Sequence, residues 1–279
     1  MQNRLVGVFD SGIGGLSVAR QIKSIVPESR LIYVSDSDYA PYGDKTQEQI
    51  FARCLQISKW LKDAGAEVIV VACNTATVNT INQLRKLIDV PFVGVEPGIK
   101  PAVKQSLSKR IGVLATKQTA SSVWFNQSVE RLNVDSDIYV KPCPGLAEQV
   151  ETLDLSASDL LVGYLEELKT HSIDQIVLGC THYSFLTPAI EQHIGDNVTV
   201  VDTAEAVAKQ LQRILNNTEI KVTECQVETV SIADQFYTTG DLTHFEHQLR
   251  FLWPQQNVTT QSLLFANRHW LEGDKGKVA

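Results

Sequence analysis

No stretch of this chain approaches the roughly 20 consecutive apolar residues that a membrane-spanning helix requires. The opening segment, MQNRLVGVFDSG, meets an acid at Asp10 after a very short apolar stretch, which does not fit a secretion signal. Runs of Lys and Arg are missing. A net charge of −7 and a pI near 5.4 argue against a nucleic-acid partner, which selects a basic face. Cysteine is sparse: Cys54, Cys73, Cys143, Cys180 and Cys225 form an odd set with neither CxxC spacing nor a dense framework. That pattern speaks against a disulfide scaffold and against a structural zinc site. Low-complexity sequence is also absent. These absences lead to the expectation of a soluble, cytoplasmic protein with no membrane, nucleic-acid or metal partner.

What the chain does have is an ordinary globular balance, 43% hydrophobic and 20% charged, over 279 residues. That length suits two modest domains or one large one. Nearly continuous apolar runs predict strands at 5–10, 31–36, 67–73, 91–96, 110–116, 137–142, 175–180 and 199–202. Helical patterns lie between and after them, at 16–25, 46–65, 77–88, 157–170 and 204–215. The alternation predicts an α/β protein with largely parallel sheets flanked by helices.

The pattern also repeats. VGVFDSG (6–12) is similar to IGVLATK (111–117), with Gly7 and Gly112 105 residues apart. VIVVACNTAT (68–77) is similar to QIVLGCTHYS (175–184), with Cys73 and Cys180 107 residues apart. Two agreeing offsets predict two pseudo-symmetric lobes with a site in the cleft between them. The expected boundaries are 1–97 for the first lobe, ending at the Pro/Gly-bearing GVEPGIKPA, and 98–207 for the second. The segment 208–279 is too short for a third domain and is expected to return and pack on the first lobe.

The apolar run ending at Cys73 is followed at once by Asn74, Thr75 and Thr77. Taken alone, a cysteine there reads as a small buried hydrophobe. The repeat changes the reading, because Cys180 occupies the matching strand end. Ligands of open α/β sheets gather beyond the carboxyl ends of strands, so a thiol from each lobe would meet a ligand from opposite sides. Inverting a carbon stereocentre needs such a pair, one group removing a proton from one face and the other returning one. A thiolate suits the base role when a cation or helix N-terminus lowers its pKa. His182 would manage the proton of Cys180 and Asp10 that of Cys73, although Asp10 also fits as a cap for the helix near Leu16.

Other segments are less decisive. DSGIGGLS (10–17) is no dinucleotide fingerprint, since the third glycine position is Ser17. Its glycines read either as N–H donors for an anion or as a tight strand-to-helix turn. DYAPYGDK (38–45) reads as a turn or as a substrate-contacting loop. Glu151 taken alone reads as a solvated helix acid. Cys54 and Cys143 read as packing, and Cys225 has no assigned chemistry. A metal set of Cys73, Cys180, His182 and Asp10 lacks zinc spacing. A cysteine hydrolase would leave one thiol without a role.

DSGIGG (10–15), APYG (40–43), ACNTAT (72–77), GVEP (94–97), GCTHY (179–183) and FYTTGD (236–241) together resemble the glutamate racemases, within the cofactor-independent amino-acid racemase superfamily. The matches run in order across most of the chain. The His after Cys-Thr favours the glutamate branch over the aspartate branch. The resemblance implies interconversion of L- and D-glutamate without pyridoxal phosphate, metal or other cofactor, supplying D-glutamate for bacterial peptidoglycan. It also implies that Cys73 takes the α-proton from D-glutamate with help from Asp10. Cys180 would take it from L-glutamate with help from His182 and Glu151. Ser11, Tyr42, Gly43, Asn74, Thr75 and Thr181 match positions that hold the substrate's amino and carboxylate groups. Members are often homodimers. Ser184-Phe185 stands where the family often has Pro-Leu, which alters the expected pocket wall. Some relatives carry an N-terminal extension tied to an activator, which is not expected here. Racemisation of aspartate, or noncatalytic amino-acid binding, are the competing readings.

Overall fold

A strand covered on both faces needs apolar side chains at odd and even positions alike, and the β-branched runs of this chain become such strands. The computed structural model describes residues 4–133, 135–217, 233–253 and 258–265. Strands β1 (Leu5–Asp10), β2 (Arg30–Ser35), β3 (Val68–Val71) and β4 (Phe92–Gly94) pair in parallel in the order β2-β1-β3-β4. Strands β5 (Arg110–Ala115), β6 (Asp137–Pro142), β7 (Gln175–Gly179) and β8 (Thr199–Val201) repeat that order as β6-β5-β7-β8, again parallel. The spacing repeats as well: β5 starts 105 residues after β1, and β6, β7 and β8 each start 107 residues after their counterparts.

Two further strands, β9 (Asp234–Thr238) and β10 (Val258–Ser262), extend the first sheet beyond β2, also in parallel. The sequence reading places no strand at either position, because β10 is a polar, half-exposed edge and β9 alternates rather than running apolar. Between β8 and β9 the helix Ala204–Asn217 crosses from the second lobe and lies along the helix Leu16–Ile25 of the first. Cys225 lies outside the described residues.

The period-2 alternation of the strands sorts the core into layers. Val6, Val8, Val68 and Val70 share one cluster with Leu114, Ile176 and Leu178 of the second sheet. The same cluster takes in Leu16, Ala19 and Ile22 on one crossing helix and Val207, Ala208 and Leu211 on the other. The opposite face of the first sheet, with Phe9, Ile69 and Val71, packs on its own helices, and Ile111, Val113 and Val177 do the same in the second. A continuous apolar layer therefore joins the lobes beneath the cleft and fixes the two sets of strand ends relative to each other. No helix among the described residues is long and apolar enough to cross a membrane.

Candidate active site

In each sheet the first and third strands are neighbours, which makes their carboxyl ends the switch point where open α/β sheets hold ligands. Ser11 follows β1, Cys73 follows β3, Thr116 follows β5 and Cys180 follows β7. All four line one cleft of about 630 Å³. Tyr42, Gly43, Asn74, Thr75, Glu151 and His182 line it too. Asp10 and Thr181 sit one layer behind, with the Thr181 hydroxyl donating to Asp10 Oδ2 at 3.4 Å. Cys143, read from sequence as packing, is buried but belongs to the wall; its thiol donates to the Lys141 carbonyl, and burial pushes its pKa up to about 12.

On the first-lobe side, Cys73 is the extended residue before the helix Asn74–Leu87, and its sulfur accepts from the Ala76 N–H at 3.5 Å. It also donates to Ser11 Oγ at 3.8 Å. A helix N-terminus favours a thiolate, but here it does not win. Burial, followed by the neighbouring Asp10 charge, pushes the Cys73 thiol well above its ordinary value. Asp10 is itself raised, by burial that outweighs the opposing His182 charge and the lowering influence of the nearby Cys73, Ser11 and Gly15. Its Oδ2 accepts from the Gly15 N–H at 2.6 Å just before the helix Leu16–Ile25, so capping and proximity to the thiol coexist.

On the second-lobe side, two groups in line back the other thiol. Cys180 Sγ lies 3.6 Å from His182 Nδ1, and His182 Nε2 lies 2.7 Å from Glu151 Oε1. Burial opposes a charge on His182. Its hydrogen bonds and charge interactions with Cys180 and Glu151 outweigh burial and raise its proton affinity well above the ordinary value. Burial would raise Glu151 in turn, but bonding to His182, the Ile13 N–H and Gln248 leaves it lowered. Glu151 is thus bonded to His182 and the Ile13 N–H and is not a solvated helix acid.

The DSGIGG turn gains a physical explanation from this pair. A Cβ on Gly14 would sit 2.3 Å from His182 Nδ1, and one on Gly12 would overlap the Glu151 carboxylate. The glycines admit the second lobe's imidazole and carboxylate against the first lobe's backbone. The anion received by the Ile13 N–H is Glu151 Oε1, at 2.9 Å.

Hydroxyls and amides complete the walls. Thr75 Oγ1 reaches across the lobes to within 2.9 Å of Thr116 Oγ1 and 3.1 Å of Thr119 Oγ1, and a 3.0 Å bond from Thr116 to Thr119 closes the triad. Both polar atoms of the Asn74 side chain are buried without a hydrogen-bond partner at the cleft wall, and such groups in native structures call for an explanation. The Tyr42 hydroxyl donates to Asp36 Oδ2 at 2.7 Å. Arg53 grips the same carboxylate with bonds of 2.7 and 2.6 Å, and Thr239 Oγ1 donates to it at 2.9 Å. Sequence reasoning passed over Asp36, Arg53 and Thr119. Only Asp36 left a signal, as the acid ending the second predicted strand.

The fold and the site together define a two-lobed α/β protein that offers a thiol from each lobe to one cleft, each thiol with its own proton-accepting neighbour. The chain belongs to the Asp/Glu/hydantoin racemase family, whose model matches residues 7–211. It is 41% identical over 255 residues to a glutamate racemase of Ectopseudomonas mendocina, an alignment covering 90% of this chain and 95% of that one. It is 45% identical over 215 residues to one of Pseudomonas syringae pv. tomato, covering 76% and 78%. Among solved structures it is similar to a Bacillus anthracis glutamate racemase isoform, with a TM-score of 0.80 and 29% identity over 94% of this chain and 98% of that one. The Escherichia coli glutamate racemase in complex with L-glutamate and the activator UDP-MurNAc-Ala also gives a TM-score of 0.80, with 27% identity and the same coverage.

Proposed function

We propose that this chain is a glutamate racemase that interconverts L- and D-glutamate by passing the Cα proton through two cysteines, so providing D-glutamate for peptidoglycan. One observation carries the mechanism: Cys73 and Cys180 stand at matching strand ends of two like lobes and open on the same cleft. From L-glutamate, the Cys180 thiolate takes the Cα proton; the C–H bond breaks, an S–H bond forms, and the electron pair delocalises into the α-carboxylate. The Cys73 thiol then gives its proton to the opposite face, leaving D-glutamate and a Cys73 thiolate. The reverse reaction exchanges the roles. His182, with Glu151 behind it, shuttles the proton of Cys180, and Asp10 that of Cys73.

Substrate is held by groups already at the wall. Asn74 brings an unpartnered amide, and Asn74 and Thr75 open a 14-residue helix whose N-terminus favours a carboxylate. Ser11, Tyr42 and Gly43 face the amino and carboxylate groups. Thr181 acts from behind through Asp10, and Thr116 adds a hydroxyl from the second lobe, held by the buried Thr119.

The test is proton NMR of the purified protein with L-glutamate in D2O, with L-aspartate in parallel, followed together with optical rotation. Loss of the glutamate Cα proton with decay of optical activity is expected. Reaction of aspartate instead overturns the substrate, and loss of neither proton overturns the activity. In the same assay Cys73→Ser and Cys180→Ser each abolish racemisation, because an alcohol is a far weaker acid than a thiol near neutral pH. Near-normal turnover by either variant contradicts the two-thiol assignment.

A further inference from the structure

The Glu151 carboxylate is built into the second lobe, yet two of its donors come from the first. One is the Ile13 N–H. The other is Gln248, on the helix Leu242–Leu252, which lies between β9 and β10 of the first sheet. Gln248 is only 1% exposed. Its Nε2 donates to the Glu151 backbone carbonyl at 2.7 Å and to Glu151 Oε2 at 3.2 Å, so Glu151 has an acceptor for each amide hydrogen. The same nitrogen lies 3.0 Å from Nε2 of His244, a residue of the cleft wall, which accepts there and shares the hydrogen directed at Oε2. With Oε1 taken by His182 and Ile13 and Oε2 by Gln248, both carboxylate oxygens are fixed.

We propose that Gln248 is a positioning residue for racemisation: it holds the Glu151 carboxylate, and through it the His182 imidazole behind Cys180, so that this contact from the first lobe completes the proton relay of Cys180. The inference rests on the racemase reading above. Among the described residues no hydrogen bond joins Cys73 to this helix; Ser11, Ala76 and Asp10 serve it. The effect of losing Gln248 is therefore one-sided.

Because the enantiomers have equal free energy, kcat/KM must stay equal in the two directions in any variant, and the asymmetry has to be read elsewhere. Primary deuterium isotope effects from α-deuterated L- and D-glutamate serve. Each reports how far proton removal by one thiol limits the rate. Gln248→Leu keeps the bulk and removes the donors. Its kcat is expected to fall about tenfold, the loss that follows removal of a hydrogen bond to a charged group. Its isotope effect should rise from L-glutamate and fall from D-glutamate, relative to the unaltered protein. Isotope effects that stay unchanged, or that move together for both enantiomers, overturn the proposal. If thermal melts show that Gln248→Leu does not fold, Gln248→Glu carries the same test. It keeps the length and a hydrogen-bonding head but sets a second carboxylate against Glu151, and the same asymmetry is expected, while symmetric behaviour overturns the proposal. If the unaltered protein leaves both α-protons in place, the racemase reading falls and takes this inference with it. If it racemises and the variants behave symmetrically, only the role of Gln248 falls.

Discussion

Asp10 carries an acid where water does not reach: the residue is fully buried, Oδ2 is held by the Gly15 N–H, and Oδ1 has no hydrogen-bond partner. Burial raises its folded pKa above the ordinary 3.8. Its contribution to stability is therefore complete below that value and is lost as pH rises through the folded value. Asp10→Asn removes the buried charge while keeping an acceptor for Gly15. It should raise Tm near neutral pH, with the gain fading in acid, and should slow racemisation. Melting curves across pH check this, and a lower Tm at neutral pH would contradict it. His182 and Glu151 have the usual signs. The raised His182 supports the fold below 6.5 and loses that support as pH rises through its folded value. The lowered Glu151 supports it above 4.5 and loses that support in acid. His182→Asn should cut kcat roughly 10²-fold or more, the usual worth of a placed proton carrier. Its isotope effect should rise from L-glutamate and fall from D-glutamate, and a symmetric change would make His182 a substrate-positioning group instead.

At the scale of elements, the turn between β1 and the helix Leu16–Ile25 is shaped by what it touches across the cleft. Gly14→Ala puts a methyl into the His182 ring, so activity should drop sharply whether or not the fold survives. Gly163, within the helix Asp159–Lys169, meets nothing within 4 Å of an added Cβ. Gly163→Ala should therefore stabilise the protein by up to about 1 kcal/mol without touching turnover. Paired urea titrations and steady-state assays distinguish the two. The turns after β1, β3, β5 and β7 were legible in the sequence because apolar runs stop there at polar residues. Their contacts were not. Glu151 reads alone as a surface acid, since its partner lies 31 positions on at His182, and Gln248 sits 97 positions beyond Glu151 in a helix with no site motif. Nor could spacing show that burial would outweigh the helix N-terminus at Cys73.

For the whole molecule, duplication made the fold legible. Eight strands were readable as apolar runs, and their shared offsets implied two like lobes. The strands β9 and β10 were not: β10 is a polar edge, where the demand for apolar residues on both faces relaxes, and β9, between β10 and β2, alternates rather than running apolar. The shared core beneath the cleft joins the lobes, so each thiol approaches the ligand from its own side. The central claim is that each thiol serves one face of the substrate carbon. It is tested most directly by stopping the reaction early in D2O, starting from L-glutamate, and measuring α-deuterium separately in the recovered substrate and in the product. With two opposed thiols, the D-glutamate formed carries deuterium from Cys73 while the recovered L-glutamate keeps its proton. Equal deuterium in both pools, or protium retained in the product, would mean that one group serves both faces and would contradict the account.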